Sequence, residues 1–104
     1  MQLVCLKGSP RTQGNSSALA DTFCELARER GVQVRCWHLN ELSYRGCQAC
    51  YKCKTELSTC ALEDDLAPVL EAVQDCDVLL LATPVYFGDV SAQTKAFIDR
   101  TFSF

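Results

Sequence analysis

The sequence predicts an α/β domain: a doubly wound parallel sheet of about three strands in spatial order 2-1-3, with flanking helices. Three observations carry that expectation. Strand-sized and helix-sized apolar segments alternate along the 104 residues. The run Val78 to Ala82 is apolar without alternation, as in a strand covered on both faces of a parallel sheet. Each break between segments is rich in turn formers, and right-handed crossovers then leave few other topologies.

The first strand is Gln2 to Lys7, ended by Gly8, Ser9 and Pro10. A loop, Arg11 to Asn15, precedes a helix from about Ser16 to Arg30. Asn15 or Ser16 can cap it, Leu19, Phe23, Leu26 and Ala27 make an apolar stripe, and Gly31 suits its end. The second strand, Val32 to Leu39, alternates, with Val32, Val34 and Cys36 opposite Gln33, Arg35 and Trp37. A cysteine-rich loop at about 43–62 follows. The next helix starts at Asp64 or Asp65, which tolerates Pro68 in its first turn, and turns Leu66, Val69, Leu70 and Val73 to the core. Asp77 to Thr83 is the third strand. The loop Pro84 to Asp89 leads to a last helix, about Val90 to Phe102, with Ala96, Phe97 and Ile98 among its apolar positions.

Composition narrows the function classes. The chain is 48% hydrophobic and 22% charged, ordinary for one small globular domain. Its formal net charge of −3, with scattered Lys and Arg, gives no electrostatic case for nucleic acid. No apolar run reaches membrane-spanning length, and the first residues lack a signal-peptide pattern, so the cytoplasm is the default expectation. In that compartment clustered cysteines hold metal or do redox chemistry more often than they form disulfides. Cys5, Cys24, Cys36 and Cys76 are dispersed among apolar neighbours and read as small buried hydrophobes.

One feature conflicts with a three-stranded sheet. The third strand reads as central, yet order 2-1-3 puts it at an edge, where an uncharged apolar strand is a template for pairing. The chain also ends on an apolar helix without a stop signal. The expectation is the N-terminal part of a larger doubly wound domain, or a homo-oligomer joined through the third strand or adjacent surfaces.

Three segments carry chemistry. Cys47, Cys50, Cys53 and Cys60 have the spacing C-x2-C-x2-C-x6-C. Three thiolates at that pitch, with a fourth after a short detour, can surround an iron–sulfur cluster. A zinc site, a disulfide pair or four free thiols remain alternatives. The first strand–helix loop, Gly8 to Ser17, offers hydroxyls, backbone N–H groups and a helix N-terminus, which can hold a phosphate, and Arg11 can add charge. It is neither a Walker A sequence nor G-x-G-x-x-G. The loop Thr83 to Asp89 follows the other strand at the point where strand order reverses. It offers aromatic rings and a glycine at which the backbone can approach a planar ligand. A phosphate loop and a flat-ring loop beside one crevice point to flavin mononucleotide (FMN). No side chain stands out as a general acid or base. His38, the only histidine, reads as structural.

GSPRTQGNS, the cysteine loop followed by Asp64 and Asp65, and TPVYFGDVSAQTKAFIDR occur in an order that resembles the NADPH-dependent FMN reductase-like family of the flavodoxin-like fold. The resemblance covers essentially the whole chain and is strongest to the iron–sulfur flavoproteins. It implies that Ser9, Arg11, Thr12, Gly14, Asn15 and Ser16 surround the FMN phosphate and ribityl chain. It implies that Pro84, Val85, Tyr86, Phe87 and Gly88 border the isoalloxazine, and that Cys47, Cys50, Cys53 and Cys60 bind a [4Fe–4S] cluster. Family members continue through two more strands and a further flavin-contacting loop that this sequence lacks. The expected function is an FMN-dependent oxidoreductase or electron-transfer flavoprotein, with NAD(P)H or a redox protein as partner. Two alternatives stand beside it: a truncated domain without enzymatic activity that acts in assembly only, and a zinc-binding module.

Overall fold

A computed structural model describes residues 1–104. Three parallel strands, β1 (Gln2–Lys7), β2 (Gln33–His38) and β3 (Val78–Ala82), lie in the order β2-β1-β3. Cys5 of β1 stands opposite Cys36 on one side and Leu80 on the other. The helices are α1 (Asn15–Glu29), a single turn α2 (Lys52–Thr55), α3 (Ala67–Asp75) and α4 (Ala92–Arg100). Helix α1 covers one face of the sheet, and α3 and α4 cover the other.

The α3/α4 face is the larger core. Val4 and Leu6 of β1 pack there with Leu39, Leu66, Val69, Leu70, Ala72 and Phe97. Burial of a side chain such as Phe97 stabilises by roughly 2–3 kcal/mol. Leu66, Val69 and Leu70 are buried as their spacing predicts, and Val73 packs partly against them. Leu66 caps α3, and Pro68 sits in its first turn, where its missing N–H leaves no hydrogen bond unmade. Asp64 and Asp65 lie ahead of the helix rather than beginning it.

The α1 face departs from the expected stripe. Its buried residues are Ser17, Ala20 and Cys24, while Leu19 is 74% exposed and Phe23 and Leu26 about half exposed. The helical period was legible, but its phase is rotated. Small side chains let the helix axis lie close to β1, and the larger ones turn toward the β3 side. There Met1, Phe23, Leu26, Val32 and Val78 line an apolar recess. The start of α1 also differs: Gly14 is the cap residue, and neither Asn15 nor Ser16 caps with its side chain.

β3 is an edge strand, with Leu79 and Leu81 each 38% exposed. Its unbroken apolar run therefore does not report cover on both faces within these residues. The last helix begins at Ala92, capped by Ser91, whose hydroxyl accepts from the Thr94 N–H. Phe97 is its buried aromatic, and Ile98 is 37% exposed. No helix is long and apolar enough to cross a membrane.

Candidate cofactor crevice and cysteine loop

β1 and β3 end beside each other, and their loops are tied together. The Gly8 N–H donates to the Ala82 carbonyl at 2.7 Å. The buried Ser91 hydroxyl donates to the Gly8 carbonyl at 2.7 Å and lies 2.8 Å from Thr94 Oγ1. The Ser91 N–H donates to Thr83 Oγ1 at 3.0 Å. A Cβ at Gly8 would come within 1.8 Å of Thr94 Oγ1, so only glycine admits this approach. Sequence reasoning placed both loops but missed Ser91 and Thr94, which fasten them. The hydroxyl-rich cap of α4 was the signal available.

In the first loop, Ser9 is buried and its hydroxyl accepts from the Arg11 N–H at 3.0 Å, while Ser17 donates to the Arg11 carbonyl at 3.3 Å. These bonds shape the loop. Arg11, Thr12 and Asn15 are exposed, Ser16 is half-buried and Gly14 is buried. The first turn of α1 has no side-chain cap and no acidic residue. Its leading N–H groups have no intrahelical partner, and the helix dipole favours an anion beside them. That arrangement fits a phosphate monoester.

In the second loop, Tyr86 and Asp89 exchange backbone hydrogen bonds at 2.9 and 3.1 Å around Phe87 and Gly88. Both central residues have positive φ, 52° for Phe87 and 76° for Gly88, the pattern of a type I′ turn. Phenylalanine is strained there, at about 1–3 kcal/mol. The turn holds Phe87 fully exposed, with Val85 76% and Tyr86 47% exposed and Pro84 half-buried. An apolar ledge of this kind suits the face of a planar ring.

The cysteine loop leaves β2 through a 3-10 turn, Leu39–Glu41. Ala49 and Tyr51 have φ of 55° and 60°, so the chain reverses between successive cysteines. The Ala49 N–H donates to Cys47 Sγ at 3.4 Å. All four cysteines line one largely apolar cavity with Tyr51, Phe102 and Arg100. Their sulfurs are not drawn together: no three lie within 4.8 Å of one another.

Arg100 anchors this loop. It is fully buried and donates to both Asp64 carboxylate oxygens, at 2.8 and 3.0 Å, and to the Arg45 carbonyl at 2.8 Å. It thus pins the chain just before Cys47 and just after Cys60. Burial opposes the charge on both partners, but their mutual hydrogen bonds and attraction outweigh it. Asp64 stays below the usual carboxylate range and Arg100 above its own. Arg100 Nε is buried without a partner, and Cys60 lies near enough to stabilise the guanidinium. A buried cationic donor beside four thiols fits an anionic thiolate centre. Tyr44, whose hydroxyl donates to the Gln93 carbonyl at 2.5 Å, is pushed up to about 12, chiefly by burial. His38 is half-buried, and its Nδ1 has no hydrogen-bond partner.

The sequence pattern of the NADPH-dependent FMN reductase family matches residues 1–103. An iron-sulfur flavoprotein of Methanocaldococcus jannaschii, MJ1083, is 34% identical over 101 residues, covering 97% of this chain and 52% of that protein. An iron-sulfur flavoprotein of Methanosarcina thermophila is 31% identical over 101 residues, with 97% and 52% covered. Among solved structures, an NAD(P)H:quinone oxidoreductase from Methanothermobacter marburgensis superposes with a TM-score of 0.78 at 22% identity, over 98% of this chain and 53% of that one. That likeness establishes the flavodoxin-like fold. The chain spans about half the length of the curated relatives it matches. Because the match extends over residues 1–103, and so over both loops and the cysteine run, this chain belongs to the NADPH-dependent FMN reductase family.

Proposed function

We propose that residues 1–104 form one partial flavodoxin-like domain that builds the phosphate and ring loops of an FMN site and carries a [4Fe–4S] cluster on the loop at about 43–62. The assembled protein is an oxidoreductase or electron-transfer flavoprotein. The observation that supports this reading is the Ser91–Gly8 hydrogen bond, which ties the phosphate-type loop to the end of the aromatic loop. When bound, FMN supplies hydride and single-electron chemistry, and the cluster supplies single-electron transfer.

The chain's own residues do the positioning. Asn15 and Ser16, at the uncapped start of α1, hold the phosphate through backbone N–H groups. Ser9, Thr12 and Gly14 shape that loop, and Arg11 adds positive charge at its rim. Pro84 to Gly88 border the ring. Cys47, Cys50, Cys53 and Cys60 supply thiolates, and Arg100 offsets part of their charge.

NAD(P)H or a redox protein donates the electrons. All eight cysteines are free, which suits a reducing cytoplasm. The exposed edge of β3 favours a homo-oligomer formed there or on the adjacent recess. Anaerobic purification followed by visible spectroscopy and iron, sulfide and FMN analysis tests the cofactors. Flavin and iron–sulfur absorption together support the reading. Colourless protein that takes up neither after reconstitution overturns it. Zinc in the four-cysteine loop of anaerobic protein would replace the cluster assignment alone. Sedimentation tests the assembly, and a monomer at high micromolar concentration would defeat it.

A further inference from the structure

A second group of thiols lies away from the cysteine loop. Cys5 in the middle of β1, Cys24 on α1 and Cys36 on β2 place their sulfurs within 4.8 Å of one another. Cys24 Sγ and Cys36 Sγ are 3.8 Å apart. Cys5 and Cys24 are buried, and Cys36 is exposed. The residues are far apart in sequence. Parallel pairing sets Cys5 opposite Cys36, and the rotated phase of α1 brings Cys24 down onto both.

We propose that Cys5, Cys24 and Cys36 form a three-thiolate site for one cuprous ion. Thiolates select soft cations. Metal–sulfur bonds near 2.3 Å require sulfurs about 4 Å apart, close to the separation already present. No fourth cysteine, histidine or carboxylate joins the group. Structural zinc takes four protein ligands, whereas Cu(I) is content with three. A disulfide would use only two of the three sulfurs. One cation lies close enough to offset part of the negative charge: Arg28 Nη2 is 4.0 Å from Cys36 Sγ. Exposed Cys36 gives the ion a route in.

Loading conserves electrons. Copper enters as Cu(I) and leaves as Cu(I). Three S–H bonds break, three Cu–S bonds form, and three protons pass to solvent. Because loading releases those protons, apparent affinity rises with pH.

The test uses the full chain with Cys47, Cys50, Cys53 and Cys60 all changed to serine, so that the loop takes no copper. Anaerobic Cu(I) is titrated against a chromophoric cuprous chelator. The expected result is one tight equivalent per chain. Cys36→Ser, at an exposed position, should lower affinity by more than the roughly 10–100-fold that loss of an outer-shell partner costs. Circular dichroism follows the fold of each variant. In the same four-serine chain, mass-spectrometric alkylation provides the second readout: one equivalent of Cu(I) should protect the exposed Cys36. Full affinity in Cys36→Ser, or unchanged alkylation of Cys36 with copper present, overturns the proposal. Equal competition by zinc overturns the choice of ion.

Discussion

The two cysteine groups are opposites. Cys47, Cys50, Cys53 and Cys60 are close in sequence, yet their sulfurs stand apart on a loop that Arg100 pins near its ends and that Tyr51 and Lys54 hold against Phe102 and Phe104. Cys5, Cys24 and Cys36 are remote in sequence, yet their sulfurs are already together on the sheet and helix that form the core. A core constellation is assembled by folding itself. Sequence spacing therefore finds the first kind of site and overlooks the second.

The largest expected effect tests the frame of the loop. Arg100→Ala leaves Asp64 without its partner and frees the Arg45 carbonyl. It should cost about 3 kcal/mol, the low end for a broken buried pair because Asp64 retains some solvent access. Denaturant midpoints measure the loss. Hydrogen exchange should rise across residues 45–64 and stay unchanged around Cys5, Cys24 and Cys36. A uniform rise would contradict the separation drawn between the two groups.

The same pair predicts acid sensitivity. The folded-state pKa of Asp64 lies below its ordinary value of 3.8. Its contribution is therefore complete above that value and disappears as pH falls below it, through the folded-state pKa. Unfolding midpoints measured between pH 5 and pH 2 should fall faster in the parent chain than in Arg100→Ala. Parallel curves would remove the pair from the account.

Gly8→Ala comes next. Its methyl would collide with Thr94, and overpacking of this kind costs typically 1–3 kcal/mol. It should also part the two crevice walls and weaken FMN uptake, as read by flavin fluorescence quenching. Unchanged uptake would show that the walls act independently. The smallest effect belongs to Cys36→Ser. An exposed substitution should stay within about 0.5 kcal/mol in thermal unfolding while removing one rapidly reacting thiol. A large destabilisation would make Cys36 a packing residue instead of an open site.

Much of the fold was legible. The order of elements, the parallel 2-1-3 sheet and the core positions Leu66, Val69, Leu70 and Phe97 follow from period, punctuation and crossover handedness. The cysteine run and the two crevice loops were also visible, because each is a contiguous segment. The α1 stripe was misplaced because Leu19, Phe23 and Leu26 have helical spacing, and so do Ser17, Ala20 and Cys24. Hydrophobicity favours the first set, while close packing on β1 favours the second.

The sequence alone determined which segments become strands, helices and turns, and hence which loops gather at one end of the sheet. Those are local properties, set by spacing along the backbone. Only the tertiary structure decided the rotation of α1, the burial of Arg100 against Asp64, the Ser91 link to Gly8 and the meeting of three distant thiols. Each depends on shape complementarity between elements, and rotating one helix changes all its partners while leaving its own periodicity intact.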